Sequence, residues 1–406
     1  MGALWHPFSN MSAVEARGEF TLTRGDGVYV YDVDERRYLD ATAGLWYANV
    51  GHGRQELADI AREQMARLAS YNIFGDYSNE PADKLADIAP VPGSRVFLTS
   101  GGSDSVDTAA KLARRYWVEV GQPTRTVIIG RQKAYHGMHY AGTAISGIPG
   151  NRDGYGSLVA DATTAAWDSA DDLRATIERV GPESVAAFFC EPVIGAGGVY
   201  PPPEGYLADV RKACTEYDVL FVADEVVTGY GRIGGAWFAS GRFGLEPDMV
   251  TTAKGLSSGY LPIGAVLVAP RVAEPFFRPG GDVWWRHGYT YSGHATAAAV
   301  ALGNLAIIER EGLLDEASRL ESTIATALAP LADHERVAEV RCGVGALGAV
   351  QLKEPADAAT LALTLRSLGV ATRAVGMGGI QVSPPLIMSD EQVGELGDAI
   401  AAALDT

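Results

Sequence analysis

Lys254 is the residue of this sequence whose surroundings best suit covalent chemistry. It follows the apolar run Asp248-Met-Val-Thr-Thr and lies between small residues, in Thr252-Ala-Lys-Gly. Burial at the end of a strand disfavours the charged ammonium and lowers the pKa of a lysine. A lowered pKa is what a lysine needs to form a Schiff base with a carbonyl group. A solvated lysine in a loop accounts for the same residues, so Lys254 by itself leaves both interpretations open.

Asp224 ends a second apolar run, Phe221-Val-Ala-Asp-Glu. A carboxylate at the end of a buried strand needs a cationic or hydrogen-bonding partner, because an unpaired buried charge is costly. A protonated pyridine nitrogen is one such partner. An ordinary ion pair or a helix cap is another, and the motif alone is compatible with each of them.

A glycine-rich segment, Thr99-Ser-Gly-Gly-Ser-Asp, connects a third apolar run to a helical pattern. The two glycines permit a tight turn. A helix that begins at Ser103 would offer free N–H groups and the positive end of its dipole to a phosphate. Taken alone, the segment is better explained by an ordinary capped turn, with Ser103 as the N-cap and with Asp104 and Asp107 complementing the dipole.

The three motifs must be positioned by a larger sheet. We predict strands at 96–99, 126–129, 185–189, 219–223, 248–252 and 265–268, and helices at 107–120, 171–180 and 204–217. Alternating apolar strands and helices are typical of a mostly parallel, doubly wound α/β sheet, whose ligands bind beyond the carboxyl ends of the strands. If the strands share a sheet, the helix start, the acid and the lysine match the phosphate, pyridine nitrogen and aldehyde of pyridoxal phosphate.

The two ends of the chain have a different pattern. Residues 27–40 indicate a small antiparallel meander with a turn at Asp34-Glu35, and the part after about residue 305 combines helices with strands at 348–352 and 379–382. We predict a large cofactor-binding domain, residues 51–295, and a smaller α+β domain formed by residues 1–50 and 296–406. The uncharged stretch 288–308 contains too many polar residues for a membrane span, so we expect a buried helix that begins near His294.

Composition excludes several classes of protein. The 406 residues include 33 Lys+Arg and 50 Asp+Glu, which gives a net charge of −17 and argues against nucleic acid or an anionic membrane as a partner. Cys190, Cys214 and Cys342 lie far apart without a CxxC pair, which argues against a disulfide framework or a metal site. The first residues do not follow a secretory pattern, so we expect a cytoplasmic protein.

A series of motifs runs through nearly the whole chain in a fixed order. They are Leu4-Trp-His-Pro-Phe, Gly44-Leu-Trp-Tyr-Ala-Asn-Val-Gly-His-Gly, Gly102-Ser-Asp, Tyr135-His-Gly, Glu191-Pro-Val, Asp224-Glu-Val-Val-Thr-Gly-Tyr-Gly-Arg, Thr252-Ala-Lys-Gly, Tyr289-Thr-Tyr-Ser-Gly-His and Thr372-Arg-Ala-Val. In this order and spacing the chain resembles the class III aminotransferases. These are fold type I pyridoxal-phosphate enzymes, and the resemblance is to their ω-amino acid or amine:pyruvate group.

The resemblance implies a role for each matching residue at the cofactor. Lys254 would form the Schiff base with the cofactor and later transfer the proton in the 1,3-proton shift. Asp224 would keep the pyridine nitrogen protonated. The other implied cofactor contacts are Gly102 and Ser103 at the phosphate, Val226 and Tyr135 on the two ring faces, Glu191 near the cofactor, and Thr290, a phosphate ligand supplied by the neighbouring subunit.

The resemblance also implies a substrate pocket and an oligomer. Trp46 and Tyr135 would line the donor pocket, Phe74 would enter it from the partner subunit, and Ala196 would form a small wall. Arg373 would bind a substrate carboxylate, for which a guanidinium group is well suited, and swing out for amines. Core packing of Trp46 and Phe74, and a surface position for Arg373, are the alternatives. A homodimer with shared active sites follows, and pairing of dimers into a tetramer is left open.

The activity that the resemblance implies is a ping-pong transamination from an amine or ω-amino acid to a keto acid such as pyruvate. Another pyridoxal-phosphate reaction on the same fold (an aminomutase, racemase or decarboxylase) and a binding protein without turnover are the alternatives. An α/β hydrolase is disfavoured because the sequence contains no G-x-S-x-G motif. Four positions depart from the usual family residues, without removing a catalytic role: Gly101, Val106, Ile194 and Ala295.

Overall fold

The computed structural model describes residues 3–72 and 74–406, in which fifteen strands and fourteen helices occur. The strands are β1 (Leu22–Asp26), β2 (Tyr29–Asp32), β3 (Arg37–Asp40), β4 (Arg95–Thr99), β5 (Val127–Arg131), β6 (Ala162–Ala165), β7 (Val185–Cys190), β8 (Leu220–Asp224), β9 (Met249–Thr252), β10 (Gly264–Val268), β11 (Val337–Arg341), β12 (Gly348–Leu352), β13 (Val370–Ala371), β14 (Ala374–Val375) and β15 (Gly379–Val382). The helices are α1 (Met11–Arg17), α2 (Ala43–Trp46), α3 (Gln55–Arg67), α4 (Asp76–Asp87), α5 (Gly102–Glu119), α6 (Tyr140–Ile145), α7 (Ala170–Val180), α8 (Tyr206–Glu216), α9 (Ala239–Arg242), α10 (Pro270–Phe277), α11 (Ala295–Arg310), α12 (Leu313–Leu328), α13 (Asp357–Ser367) and α14 (Asp390–Leu404).

A seven-stranded sheet with the order β4-β10-β9-β8-β7-β5-β6 forms the centre of the molecule. Strand β10 is antiparallel to both of its neighbours, and the other adjacent pairs are parallel. The prediction of a mostly parallel sheet is therefore confirmed, and all six predicted strands lie within two residues of the observed bounds. Strand β6 was missed because Ala162-Thr-Thr-Ala is a short, weakly apolar edge strand.

Both faces of this sheet are covered, which explains the continuous apolar strands. Phe188 and Phe221 belong to the core cluster on one face, together with residues of α8, whereas the next residues, Phe189 and Val222, pack with α5 on the other face. Successive side chains of a strand point to opposite faces, so a strand covered on both sides needs apolar residues at every position. The doubly wound arrangement follows from this pattern.

Two smaller sheets involve the chain ends. In the sheet β1-β2-β3-β13, the N-terminal meander is antiparallel and its strand β3 pairs in parallel with β13. The meander begins at Leu22, five residues earlier than the predicted start. The sheet β11-β12-β15-β14 contains the two predicted C-terminal strands, 348–352 and 379–382, with unchanged bounds.

Helix α11 is the buried helix expected near His294. The His294 side chain accepts a hydrogen bond from the N–H of Ala297 and caps the helix. Within the described residues, no helix has both the length and the apolar character needed to cross a membrane.

Candidate active site

The carboxyl ends of four strands of the large sheet, β4, β7, β8 and β9, lie on the same side of the sheet. Strands β7, β8 and β9 are mutually parallel, with Asp224 in register with Thr251, so Glu191, Asp224 and Lys254 follow neighbouring strand ends. Strand β4 runs in the same direction, because both β4 and β9 are antiparallel to β10. The start of α5, which follows β4, is therefore brought to the same edge.

A cavity of about 310 Å³ lies at this edge. It has the size of a site for a small organic cofactor. Seven of the residues singled out from the sequence line it: Gly102, Ser103, Tyr135, Glu191, Asp224, Val226 and Lys254.

Lys254 occupies a strained position at the floor of this cavity. Its backbone has φ of 44°, in the left-handed region that residues other than glycine rarely adopt and that recurs at functional sites. Burial lowers the pKa of its ammonium group to about 8, although the charges of Asp224 and Glu191 oppose the shift. At pH 7 about a tenth of Lys254 is therefore a neutral, nucleophilic amine, far more than for a lysine with the ordinary pKa.

Asp224 is held by a buried histidine. Its Oδ2 accepts a hydrogen bond from Nδ1 of His136 at 2.7 Å, and its Oδ1 accepts one from the N–H of Val226 at 3.2 Å. Both side chains are buried. Sequence reasoning missed the role of His136, although it lies inside the motif Tyr135-His-Gly. Its position next to a cavity-lining aromatic residue was the available signal.

The start of α5 forms the polar end of the cavity. The helix begins at Gly102 with Gly101 as its N-cap, so the alternative in which Ser103 is the N-cap is wrong. The Ser103 hydroxyl instead accepts a hydrogen bond from the N–H of Met138. A Cβ on Gly137, whose φ is +82°, would lie 2.5 Å from this hydroxyl, so only glycine permits the close approach.

Glu191 supports the wall that carries Tyr135. Its two carboxylate oxygens accept hydrogen bonds from the N–H groups of Tyr135, at 2.7 Å, and Gly195, at 2.9 Å. Burial raises the pKa of this carboxyl group to about 6. The charge of Asp224 also raises it, while His136 and the two N–H donors lower it.

The donor set of the cavity fits pyridoxal phosphate. The first N–H groups of an 18-residue helix are free of helical partners and suit a phosphate. A buried carboxylate, Asp224, can accept a hydrogen bond from a protonated ring nitrogen, and Lys254 supplies the amine for the aldehyde. A Cβ on Gly102 would lie 2.9 Å from Val226, so the helix start and this side chain leave no room for a larger residue.

Trp46 and Arg373 lie beside the cavity rather than on its lining. The Trp46 ring is buried, and both the Lys254 ammonium, at 5.9 Å, and the Arg373 guanidinium, at 4.6 Å, face its centroid. Ala196 packs against the apolar cluster that contains Trp46. Arg373 is half-buried, so it is not an ordinary exposed arginine of the surface.

Phe74 and Thr290 are not among the residues that line the cavity of their own chain. Both are exposed, Phe74 to 59%. The Phe74 ring lies against Gly293, where a Cβ would be 2.6 Å from Cε1, and Gly293 follows Thr290 by three residues. The two residues therefore belong to one exposed surface, and the alternative of core packing for Phe74 is wrong.

Comparisons with known proteins agree with this geometry. The family model described as Aminotransferase class-III matches residues 11–404. A putrescine–pyruvate aminotransferase of Pseudomonas aeruginosa is 38% identical, with 98% of this chain and 93% of that protein covered. An omega-aminotransferase of Caulobacter vibrioides is 34% identical, covering 100% and 97% respectively.

Solved structures give the same result. A transaminase from the marine bacterium Virgibacillus has a TM-score of 0.95 and 38% identity, covering 99% of this chain and 96% of that one. An omega transaminase of Pseudomonas jessenii in complex with PMP has a TM-score of 0.93 and 34% identity, with the same coverage. The chain belongs to the class III aminotransferase family. It is an enzyme of fold type I, and its cofactor is pyridoxal phosphate.

Proposed function

We propose that this enzyme is an ω-transaminase that moves an amino group from an amine or ω-amino acid to a keto acid such as pyruvate. The observation that carries the proposal is the placement of Lys254 and Asp224 on adjacent strand ends, on one cavity with the start of α5. The names of the relatives, which include a putrescine–pyruvate aminotransferase and an omega-aminotransferase, support the choice of substrates.

Two residues do the proton chemistry in this proposal. The bound cofactor supplies an aldehyde that condenses with amines and a protonated ring that withdraws electrons. Lys254 Nζ would take up the proton of the donor carbon and release it again, because its lowered pKa leaves part of the amine unprotonated near neutral pH. Asp224 would accept a hydrogen bond from the protonated ring nitrogen and so keep that proton in place, while His136 orients the carboxylate.

Other residues orient the cofactor. Gly102 and Ser103 bind the phosphate at the start of α5, where the helix dipole favours a negative charge. Tyr135 and Val226 flank the ring and fix its orientation, and Glu191 holds the backbone of Tyr135. Each of these assignments is a proposal that rests on the shared cavity.

The substrate pocket is proposed to extend from Lys254 across the Trp46 ring to Arg373. Trp46 and Tyr135 provide the apolar surface for the donor, and Ala196 provides a small wall beside Trp46. Arg373 offers its guanidinium to a substrate carboxylate. A pocket with an apolar surface and one cation fits ω-amino acids and keto acids.

We propose that the enzyme is a homodimer with shared active sites. Thr290 and Phe74 are exposed and do not line the cavity of their own chain, which suits residues that contribute to the site of a second copy. Exposed aromatic residues near this surface, such as Tyr71, Trp284 and Tyr291, suit an interface with another copy.

Mixed dimers test the shared site. In a dimer of one Lys254→Ala chain and one Thr290→Glu chain, one site would receive both intact residues and regain activity. Neither parent homodimer would have an intact pair. Activity of the mixture that merely equals the sum of the two parents would contradict the shared site.

We also propose that the chain forms two domains. Residues 51–295 form the large domain, and residues 1–50 and 296–406 form the small one. The pairing of β3 with β13 supports a unit built from both chain ends. Both boundary residues, Val50 and Ala295, are buried, so proteases are not expected to cut there. Hydrogen exchange is expected to show different protection in residues 51–295 and in the two chain ends, and exchange of the whole chain as one cooperative unit would contradict the division.

We further propose that the enzyme acts in the cytoplasm. Its three cysteines are free, which suits a reducing compartment. Cell fractionation is expected to recover the activity with the cytoplasmic fraction, and recovery in an extracytoplasmic fraction would overturn the assignment.

A panel of amine donors with pyruvate tests the reaction itself. Alanine is expected to accumulate with the wild-type enzyme and not with Lys254→Ala. Lys133→Ala is a matched control, because Lys133 also follows a central strand and has a pKa lowered by burial, yet lies outside the proposed site. Absence of alanine with every donor, or full activity of Lys254→Ala, would refute the proposed function.

A further inference from the structure

Gln381 is a polar residue in an otherwise apolar strand. It lies in β15 between Ile380 and Val382, and its side chain is completely buried. A buried amide is costly unless its donor and acceptor are both satisfied. The partners that satisfy Gln381 therefore indicate why it is present.

Gln381 is bound to the segment that carries Arg373 at three points. Its Oε1 accepts a hydrogen bond from Nε of Arg373 at 2.8 Å, its backbone N–H donates to the Arg373 carbonyl, and its own carbonyl accepts from the Thr372 hydroxyl. Its Nε2 donates to the Ser383 hydroxyl at 2.5 Å. Since a guanidinium group can only donate, the amide orientation is fixed by this network.

The acceptor that holds Arg373 is neutral. Among the described residues, no carboxylate pairs with Arg373. Burial lowers the pKa of the Arg373 guanidinium group, and the charge of Tyr135 opposes this effect. Arg341, on strand β11 of the same sheet, is different, because it donates both to the amide of Gln351 at 2.9 Å and to the carboxylate of Glu339 at 2.7 Å. Arg341 is therefore neutralised by an ion pair, whereas Arg373 keeps an uncompensated charge.

The position of this charge is set by two contacts. Gln381 holds the Nε side of the guanidinium, and the ring of Trp46 lies at 4.6 Å from its carbon. The same ring lies 5.9 Å from the ammonium of Lys254, so the Arg373 cation and the reacting amine flank one aromatic side chain.

We propose that Gln381 is a positioning residue that holds Arg373 over Trp46 through a neutral acceptor and thereby sets the preference for substrates with a carboxylate over simple amines. This inference rests on the proposed function for its substrates. A glutamate at the same position would accept the same hydrogen bond but neutralise the cation, whereas a leucine would release it.

The test uses the holoenzyme and two readouts. The first is the binding of propionate, which has neither an amino nor a keto group, measured by calorimetry in wild type, Gln381→Leu, Gln381→Glu and Gln351→Leu. The second is the rate at which the cofactor absorbance changes with β-alanine and with butylamine. Circular dichroism and Tm verify that each variant is folded, and Gln351→Leu is the matched control because it removes the corresponding arginine–amide bond at Arg341.

We expect the Kd of propionate and the KM of β-alanine to rise about tenfold or more in both Gln381 variants, with kcat little changed, because a charge-assisted contact is weakened. The kcat/KM for butylamine should change by less than about threefold. Gln351→Leu should resemble wild type in all three quantities.

The two proposals fail in different ways. Wild type that binds propionate but reacts with no amine would refute the proposed function while leaving the role of Gln381 supported, if the variants still lose propionate. An unchanged Kd of propionate in both Gln381 variants, an equal loss with β-alanine and butylamine, or no binding of propionate to wild type would overturn the role of Gln381.

Discussion

Nδ1 of His136 lies 2.7 Å from Oδ2 of Asp224, and both side chains are buried beneath the cavity. An ionised carboxylate can only accept, so the histidine donates this hydrogen bond and its proton is assigned to Nδ1. The other ring nitrogen, Nε2, has no hydrogen-bond partner within the described residues. Among the described residues, the side chain of His136 therefore makes its hydrogen bond to Asp224 alone, and this bond orients the carboxylate.

Replacement of His136 by phenylalanine should keep the ring shape and remove the hydrogen bond. We expect kcat to fall about 10- to 100-fold, because a hydrogen bond to a charged group contributes about 1.5–3 kcal/mol. Steady-state kinetics measure this loss. His139→Phe is the control, since His139 makes a contact of the same length with Asp104 on the exposed side. Equal losses in the two variants would contradict a specific role for His136.

Replacement of Gly137 by alanine should weaken cofactor binding. The added Cβ would lie 2.5 Å from the Ser103 hydroxyl, so the start of α5 must shift, and we expect the Kd of pyridoxal phosphate to rise about tenfold. Fluorescence titration of the apoenzyme measures this Kd.

Gly121→Ala is the control that distinguishes the steric clash of the added Cβ from the backbone strain of alanine at positive φ. Gly121 has a similar φ of +80° but has no heavy atom within 4 Å of the added Cβ. Both variants should lose about 1 kcal/mol of stability because each forces alanine into the left-handed region, and Gly137→Ala should lose more because of its clash, but only Gly137→Ala should lose cofactor affinity. Unchanged affinity in Gly137→Ala would refute the role of this close approach.

The sequence predicted that the site residues lie together, because the apolar run that marks each strand can be recognised locally. Apolar runs that end in Asp224 and Lys254 indicate parallel strands, and parallel strands bring their carboxyl ends together. The start of α5 was less predictable, because Gly101 rather than a side-chain cap begins the helix. The pairs His136–Asp224 and Gln381–Arg373 could not be derived, since they depend on how separate strands and loops pack.

The pH dependence of reconstitution should report the lowered pKa of Lys254. Only the neutral amine attacks a carbonyl group, and burial lowers the pKa to about 8 from the ordinary value of 10.5. The initial rate at which apoenzyme gains the visible cofactor band should therefore rise between about pH 7 and 9 and then level off. A rate that continues to rise toward pH 10.5 would show that Lys254 is not desolvated.

The most direct test of the account is to locate the covalent link between enzyme and cofactor. Reduction of the holoenzyme with borohydride converts a lysine–cofactor imine into a stable amine, and peptide mass mapping then finds the modified residue. We predict that the added mass lies on the peptide that contains Lys254 and disappears in Lys254→Ala. Modification of a different residue, such as Lys133, would contradict the assignment of Lys254 as the catalytic lysine.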